Sequence, residues 1–440
     1  MASNPSMDLR TLLFGKVFSL ERNEYVAVAW SFAYFFCVLS SYYILRPIRE
    51  AMVVGGGSAN IPYLFLATFI AMLVVTPIFG WVASRFPRRV FLPWVYLFFI
   101  SNILIFWGIF GWLLEEGRDN IWLGRTFVVW LSVFNLFVVS VFWSFMADIF
   151  TREQGRRLFG LISAGGSIGA IIGGIATSLL VIRIGNHNLF PISALLLCVA
   201  ILCIRRLRSW VSVEQDAGRM QTAASGEPLG GGILSGITHA FSSKYFAGIA
   251  VASVIASLLG TALYTFSAQL VETAILDRDF QTRFFSNINI AQNIFTLLGQ
   301  MFVVRHIVRR YGIGGSLAIM PLFSIGCFLY LAIDPTLAVV AFITAARRAL
   351  GFSFSKPTTD MLYSVVTPEE KYKTKNFIDT AIYRFGDVYG TFSVKFMTTL
   401  GISGISIVMV PFAIIWAGIS LWLGRDYRRQ ARALKESGIK

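Results

Sequence analysis

Residues 80–90 read GWVASRFPRRV, and residues 299–312 read GQMFVVRHIVRRYG. Each is a basic turn that closes one long apolar run and opens another. A second pair repeats the relation, TREQGRRLFGLI at 151–162 and TPEEKYKTKNFID at 367–379. Matched basic turns in the same order, in two halves of one chain, mark two repeats of the same orientation.

The composition supplies the setting. Of 440 residues, 56% are hydrophobic and 14% are charged, whereas a soluble domain carries about a quarter charged. Apolar runs of about 20 residues, enough to cross a bilayer, recur along nearly the whole length. Twelve are expected, near 26–46, 61–83, 90–114, 124–147, 158–182, 189–204, 245–271, 284–304, 313–333, 336–354, 377–400 and 404–424. Residues 1–24 lack the short apolar core and small-residue site of a cleavable signal, so the first run is expected to stay as an anchor. Cys37, Cys198, Cys203 and Cys327 all fall inside apolar runs, which argues against a disulfide framework.

The net charge of +15 suggests nucleic acid until it is mapped. With the N-terminus inside, the basic turns, the 205–243 break, the tail from Arg425 and every lysine but Lys395 fall on one side. That asymmetry orients a membrane chain with both termini cytoplasmic, and no nucleic acid is required. The break at 205–243 contains AASGEPLGGG, a flexible composition. It divides the chain into six-helix bundles at 1–204 and 244–440. An all-α polytopic protein with this 6+6 layout has the major facilitator fold, which holds its substrate near the bilayer midplane. The turn at 80–90 also resembles that family's signature turn, with Ser84 in place of the usual acid and Pro87 in place of a Gly. The resemblance assigns gating to Arg85, Arg88 and Arg89, with Asp148 after span 4 and Arg305 and Arg309 in the matching turn.

Ionisable side chains inside a span cost several kcal/mol, so they face a partner or a wet path. Span 11 holds Asp379, Tyr383, Arg384, Asp387 and Lys395. At about 100° per residue, Arg384, Asp387 and Lys395 share one face, while Asp379 lies near the cytoplasmic turn and braces it. A buried Arg384–Asp387 pair that only holds the bundle together is one reading. Apolar packing would do that at lower cost, which favours a functional pair. A carboxylate's proton affinity answers to a neighbouring cation and to desolvation in opposite senses, so Asp387 is the candidate for proton coupling. Span 1 ends in SSYYILRPIRE, where Tyr42, Arg46 and Arg49 share a face, although Arg at a helix end also snorkels to headgroups. Span 10 carries Arg347 and Arg348, which cannot face the same way, so at least one must find a carboxylate or the cavity. Span 8 carries an amide stripe through Asn289, Asn293, Thr296 and Gln300, and span 4 carries Asn135. The substrate-contacting set is therefore Arg46, Arg49, Asn135, Asn293, Arg347, Arg348, Tyr383 and Arg384. Guanidinium groups suit carboxylate or phosphate, pointing to an anionic or zwitterionic metabolite. The glycines of SAGGSIGAIIGG at 163–174 follow no strand. Gly165, Gly169 and Gly173 stand four apart, the spacing that lets helices pack closely. The scattered His187, His239 and His306 offer no metal or nucleophile constellation, so neither an enzyme nor a cofactor is expected.

Three blocks carry a further likeness: YYILRPIREAMVV at 42–54, FWSFMADIFTREQGRRLFGLISAGGSIGAIIGG at 142–174 and KNFIDTAIYRFGDVYG at 375–390. Together they resemble the bacterial and plastid-type ATP/ADP translocase family, whose members have about twelve spans. The resemblance implies a monomeric secondary transporter of the bacterial inner membrane, with nucleotide exchange as the family's characterised activity. Arg49 corresponds to a basic residue of the first block. In the third block the characterised exchangers typically read Gly-Lys where this chain reads Gly386-Asp387, and they carry a Glu in span 4 where Asn135 is nearest. A carboxylate repels phosphate, so a non-exchanger branch is expected. A lipid flippase or scramblase of the same fold is the alternative of another class.

Overall fold

The computed structural model describes residues 21, 24–85, 88–117, 120–216, 243–300, 304–366, 374–375 and 377–436. Over these residues the chain is helical, without strands. The helices are α1 (Tyr25–Gly55), α2 (Ile61–Arg85), α3 (Arg88–Glu115), α4 (Ile121–Ile149), α5 (Arg152–Ile184) and α6 (Leu189–Asp216). After the break come α7 (Lys244–Ala274), α8 (Arg278–Leu298), α9 (Val304–Ile333), α10 (Leu337–Leu350), α11 (Tyr383–Phe396) and α12 (Gly401–Glu436). Most of the 205–243 break lies outside the described residues, and α6 runs into its first part.

Ten helical stretches are long and apolar enough to cross a membrane. The two helices left out, α8 and α11, are the ones with inverted faces. The buried side of α8 is Gln281, Thr282, Phe285, Ser286, Ile288, Asn289 and Gln292, while Phe280, Ile294, Phe295 and Leu298 are exposed. In α11, Gly386, Asp387, Gly390 and Thr391 are buried, and Phe385, Tyr389 and Phe396 face out. Polar residues inside and apolar ones outside are what lipid as solvent demands, because unpaired polar groups cannot face hydrocarbon.

Boundaries follow local chemistry. A capping box starts α5, with the Thr151 hydroxyl accepting from the Gln154 N–H and the Gln154 side chain accepting from the Thr151 N–H. Gly185, at φ 75°, ends it. Asp277 caps α8 by accepting from the Phe280 N–H at 3.0 Å. The end of α10 widens into a π-helical turn at Gly351–Ser355 before a last α-turn at Lys356–Met361, and α11 is preceded by another at Ile378–Ile382. Such turns recur at functional sites.

By contacts the chain forms two compact units. One comprises the chain up to Arg49, Val75–Asn120 and Trp130–Leu229; the other comprises Glu50–Val74, Ile121–Val129 and Gly230–Lys440. In the first, α5 lies directly on α1. A Cβ at Gly165 would meet the Phe32 carbonyl oxygen at 2.5 Å, and one at Gly173 would meet that of Ser40 at 2.6 Å. The Ser40 hydroxyl donates across the seam to the Gly169 carbonyl at 2.9 Å. The glycine spacing therefore serves packing, as expected. Tyr34 donates to Tyr96 at 2.6 Å in the core of this unit, and Tyr96 to the Val138 carbonyl at 3.2 Å.

The second unit repeats the glycine device. A Cβ at Gly386 of α11 would meet Val254 Cα of α7 at 3.1 Å, and one at Gly390 would meet Leu258 Cα at 2.9 Å. Since α7 and α11 occupy the same places in the second repeat as α1 and α5 in the first, both halves bury this pair of helices by the same means. A cluster of Val53, Val54, Ile61, Leu64 and Val128 with Tyr264, Val271, Phe285 and Ile288 joins the end of α1 and the starts of α2 and α4 to α7 and α8 inside the second unit.

Candidate functional site

The close approach of α11 to α7 brings the buried Asp387 against a hydroxyl. Ser257 donates to one carboxylate oxygen of Asp387, and Arg384 donates to the other at 3.3 Å. The Asp387 side chain is 10% exposed and that of Arg384 40%. The carboxylate is thus shielded and its cation half-open. Below and above Ser257, α7 continues a stripe of small hydroxyls at Ser253, Thr261 and Thr265, each turned back onto the carbonyl four residues earlier. Sequence reasoning missed Ser257. The four-residue spacing of Ser and Thr opposite Gly386 and Gly390 was the available signal.

Arg347 and Arg348 both meet α7, Arg347 through a backbone carbonyl. Its guanidinium is buried and donates to the Ala256 carbonyl of α7 at 2.7 Å, beside Gly260, where a Cβ would meet it at 2.9 Å. Arg348 stands over the Tyr264 ring at 6.0 Å. The Tyr383 phenol is in electrostatic reach of Asp387, Arg347, Arg384 and Arg348. Four of the expected residues, Arg347, Arg348, Arg384 and Asp387, therefore lie within electrostatic reach of a fifth, Tyr383, in the second unit. Asn293 is half-buried on α8. Its neighbours Asn289 and Gln292 are almost fully buried, and Asn289 Nδ2, Gln292 Oε1 and Thr296 Oγ1 have no hydrogen-bond partner among the described residues. Leaving such groups unmet costs about 1–3 kcal/mol each, so this face is built to meet water or solute.

In the first unit, Arg49 donates to the Ser132 hydroxyl of α4 at 3.5 Å. Arg46 donates to the Tyr43 hydroxyl at 3.1 Å and lies over the same ring at 5.3 Å. Asn135 is half-buried on α4, one turn beyond Ser132.

The remaining charges of span 11 have structural partners. Asp379 accepts from Lys356 at 2.6 Å, and Lys356 also pairs with Asp360 at 3.4 Å. Lys375 pairs with Asp360 at 3.0 Å. These pairs tie the two π-helical turns together, so Asp379 braces the turn as expected. At the other end Lys395 donates to the Tyr63 hydroxyl of α2 at 3.1 Å and lies 4.2 Å from its ring centroid. Glu272 of α7 accepts from the Ser58 N–H at 3.0 Å. Neither Tyr63 nor Glu272 stood out in the sequence. Of the gating residues, Arg85 is exposed and lies 5.3 Å over the Trp81 ring, and Asp148 is exposed. The side chains of Arg88, Arg89, Arg305 and Arg309 lie outside the described residues.

Among the described residues, ten apolar helical stretches of spanning length and two helices that bury their polar side define a multi-pass membrane protein. The model of the Major Facilitator Superfamily matches residues 28–391, and the chain belongs to that family. It is a secondary transporter. Along nearly its full length it is similar to ADP,ATP carrier proteins. It is 22% identical to ADP,ATP carrier protein 2 of Chlamydia trachomatis, covering 96% of this chain and 92% of that one. It is 19% identical to ADP,ATP carrier protein 2 of Chlamydia pneumoniae, covering 90% and 88%. Among solved structures, the nucleoside transporter NupG superposes with a TM-score of 0.59 at 18% identity, over 93% of this chain and 99% of that one. A bacterial homologue of the iron transporter ferroportin gives 0.62 at 13% identity, over 92% and 98%. These structures share the fold.

Proposed function

We propose that this transporter carries an anionic or zwitterionic small metabolite by alternating access, and that Asp387 takes up and releases a coupling proton. The observation that carries the reading is a shielded carboxylate held by Arg384 and Ser257, with Tyr383 in electrostatic reach of it and of three guanidinium groups. Arg347, Arg348 and Arg384 supply planar donors for a carboxylate or phosphate. Asp387 is positioned to trade its ion pair with Arg384 for a proton. Arg46, Arg49 and Asn135 of the first unit and Asn293 of the second are the further candidates for substrate contact. Two six-helix halves, 1–204 and 244–440, move about the 205–243 link. The basic turns carrying Arg85, Arg88, Arg89, Arg305 and Arg309, with Asp148, gate the side that faces the cytoplasm. Both termini lie on that side of a bacterial inner membrane, and the protein acts as a monomer. A thermal-stabilisation screen of nucleotides, organophosphates and peptidoglycan fragments identifies the substrate class. Uptake of the best binder into proteoliposomes with an imposed pH gradient then tests the coupling. Accumulation that ignores the gradient removes the proton from the mechanism.

Nucleotide exchange is the second reading, favoured by the full-length similarity to the two chlamydial carriers. Asp387 argues against it, because a carboxylate beside the guanidinium cluster opposes a polyphosphate. Labelled ATP presented to proteoliposomes preloaded with ADP should stay at the level of protein-free vesicles. Robust counter-exchange would instead establish the nucleotide reading.

A further inference from the structure

The C-terminal helix is longer than a membrane requires. From Gly401 to Gly424 it rises about 36 Å, against a hydrocarbon core of about 30 Å. It then continues without interruption to Glu436. Arg425 therefore emerges at headgroup level, and Arg432 lies about 10 Å further along the axis.

This extension is held in place. Leu423 sits in a cluster with Tyr245, Phe246, Leu362 and Tyr363, and Tyr427 packs on its edge. The Tyr427 hydroxyl shares a hydrogen bond with Ser364 at 3.2 Å. A Cβ at Gly314 of α9 would meet Gly424 Cα at 3.1 Å. Leu423, Gly424 and Tyr427 thus define the docked face. At about 100° per residue, Arg425, Arg428, Arg429 and Arg432 occupy an arc of roughly 100° on the opposite face. All four are exposed. They border one open cleft of about 410 Å³ with Ala433 and Glu436. Among the described residues none of the four makes an ion pair, and the nearby Asp426 is engaged by Gln430 at 2.8 Å.

We propose that this arginine face binds the phosphate headgroups of anionic phospholipids in the leaflet on the C-terminal side. Four guanidinium groups on a docked helix, from headgroup depth at Arg425 to just beyond it at Arg432, match phosphate in charge, and each can engage it bidentately. Zwitterionic headgroups, whose ammonium meets the same cations, are disfavoured. Because Tyr427 and Ser364 join the extension to the end of the α10 segment, a bound lipid also steadies the turn that carries Lys356 and Asp360.

The test uses the full chain in nanodiscs of phosphatidylcholine with a minor fraction of phosphatidylglycerol, and native mass spectrometry of the lipids retained. Wild type should retain phosphatidylglycerol in excess of its share. That preference should fall by about fivefold for each arginine removed, through R428Q/R432Q to R425Q/R428Q/R429Q/R432Q. The double variant keeps the test valid if the quadruple one fails to fold. R183Q, at an exposed arginine of α5, should leave the preference unchanged. The proposal falls if wild type shows no preference, if R183Q lowers it as much as R428Q/R432Q, or if millimolar inorganic phosphate displaces the lipid and stabilises the protein equally.

Discussion

Asp387→Asn separates coupling from folding, because the structure limits what the substitution removes. The asparagine keeps the shape of the side chain, and its carbonyl oxygen still accepts from Ser257. What is lost is the charged part of that bond and the contact with Arg384. A hydrogen bond to a charged group contributes about 1.5–3 kcal/mol, against about 1 for a neutral one. Arg384 is 40% exposed, so its ion pair contributes at most about 1 kcal/mol after solvent screening. The total penalty is about 1–2 kcal/mol, within what a folded membrane protein withstands. The functional loss is of another size. One proton moved per solute at a gradient of one pH unit is worth about 1.4 kcal/mol, or a tenfold accumulation.

The assay is uptake of the identified substrate into proteoliposomes, acidic outside, beside exchange at equal pH on the two sides. Wild type should accumulate about tenfold per pH unit if one proton accompanies one uncharged complex. Asp387→Asn should reach only equilibrium, with exchange retained, since the amide stands in for the protonated carrier. Its melting temperature should drop by only a few degrees. Wild-type accumulation with unchanged pH dependence in Asp387→Asn would show the charges of α11 to be structural.

Arg384→Ala should be more damaging than Asp387→Asn, because it strips a shielded carboxylate of its ion pair, a cost of about 1–3 kcal/mol. The double variant should melt higher than Arg384→Ala, since removing both charges removes the mismatch; equal melting would show that the two do not interact. Gly390→Ala drives a Cβ into Leu258 and Thr261 of α7, so it should destabilise by about 1–3 kcal/mol. Gly418→Ala, with open space around it, should be neutral in the same melting assay.

Much of this was legible before any coordinates. Basic turns at 80–90 and 299–312 and the apolar runs between them carry the fold, because lipid imposes a length on every span. Gly165, Gly169 and Gly173 announced the α1–α5 seam by spacing alone. The Arg384–Asp387 pair followed from a separation of three residues on one helix. The partners across helices were not legible. Ser257 reads as one more small residue in an apolar run until α11 is laid beside it. Of Arg347 and Arg348, at least one was expected to seek a carboxylate or a cavity; that Arg347 meets a backbone carbonyl depends on the bare backbone at Gly260, which no spacing in its own helix announces. Lys395 had no visible reason to meet Tyr63, more than three hundred residues away.

The two repeats use one scaffold for different chemistry. In the first, α5 presses glycines against α1, and the glycine stretch of the seam carries hydroxyls, with Ser40 bonded to Gly169 and Thr177 to Ile44, while the buried Glu24 just ahead of α1 pairs with Arg157 of α5 at 2.7 Å. In the second, α11 presses Gly386 and Gly390 against α7, and Asp387 stands between those two glycines. A carboxylate at a seam this tight is largely shielded, 10% exposed, and held by Ser257 and Arg384. The asymmetry between the repeats is therefore the place to look for coupling. The first seam keeps its buried carboxylate, Glu24, at one end against Arg157, and the second sets Asp387 between its two glycines.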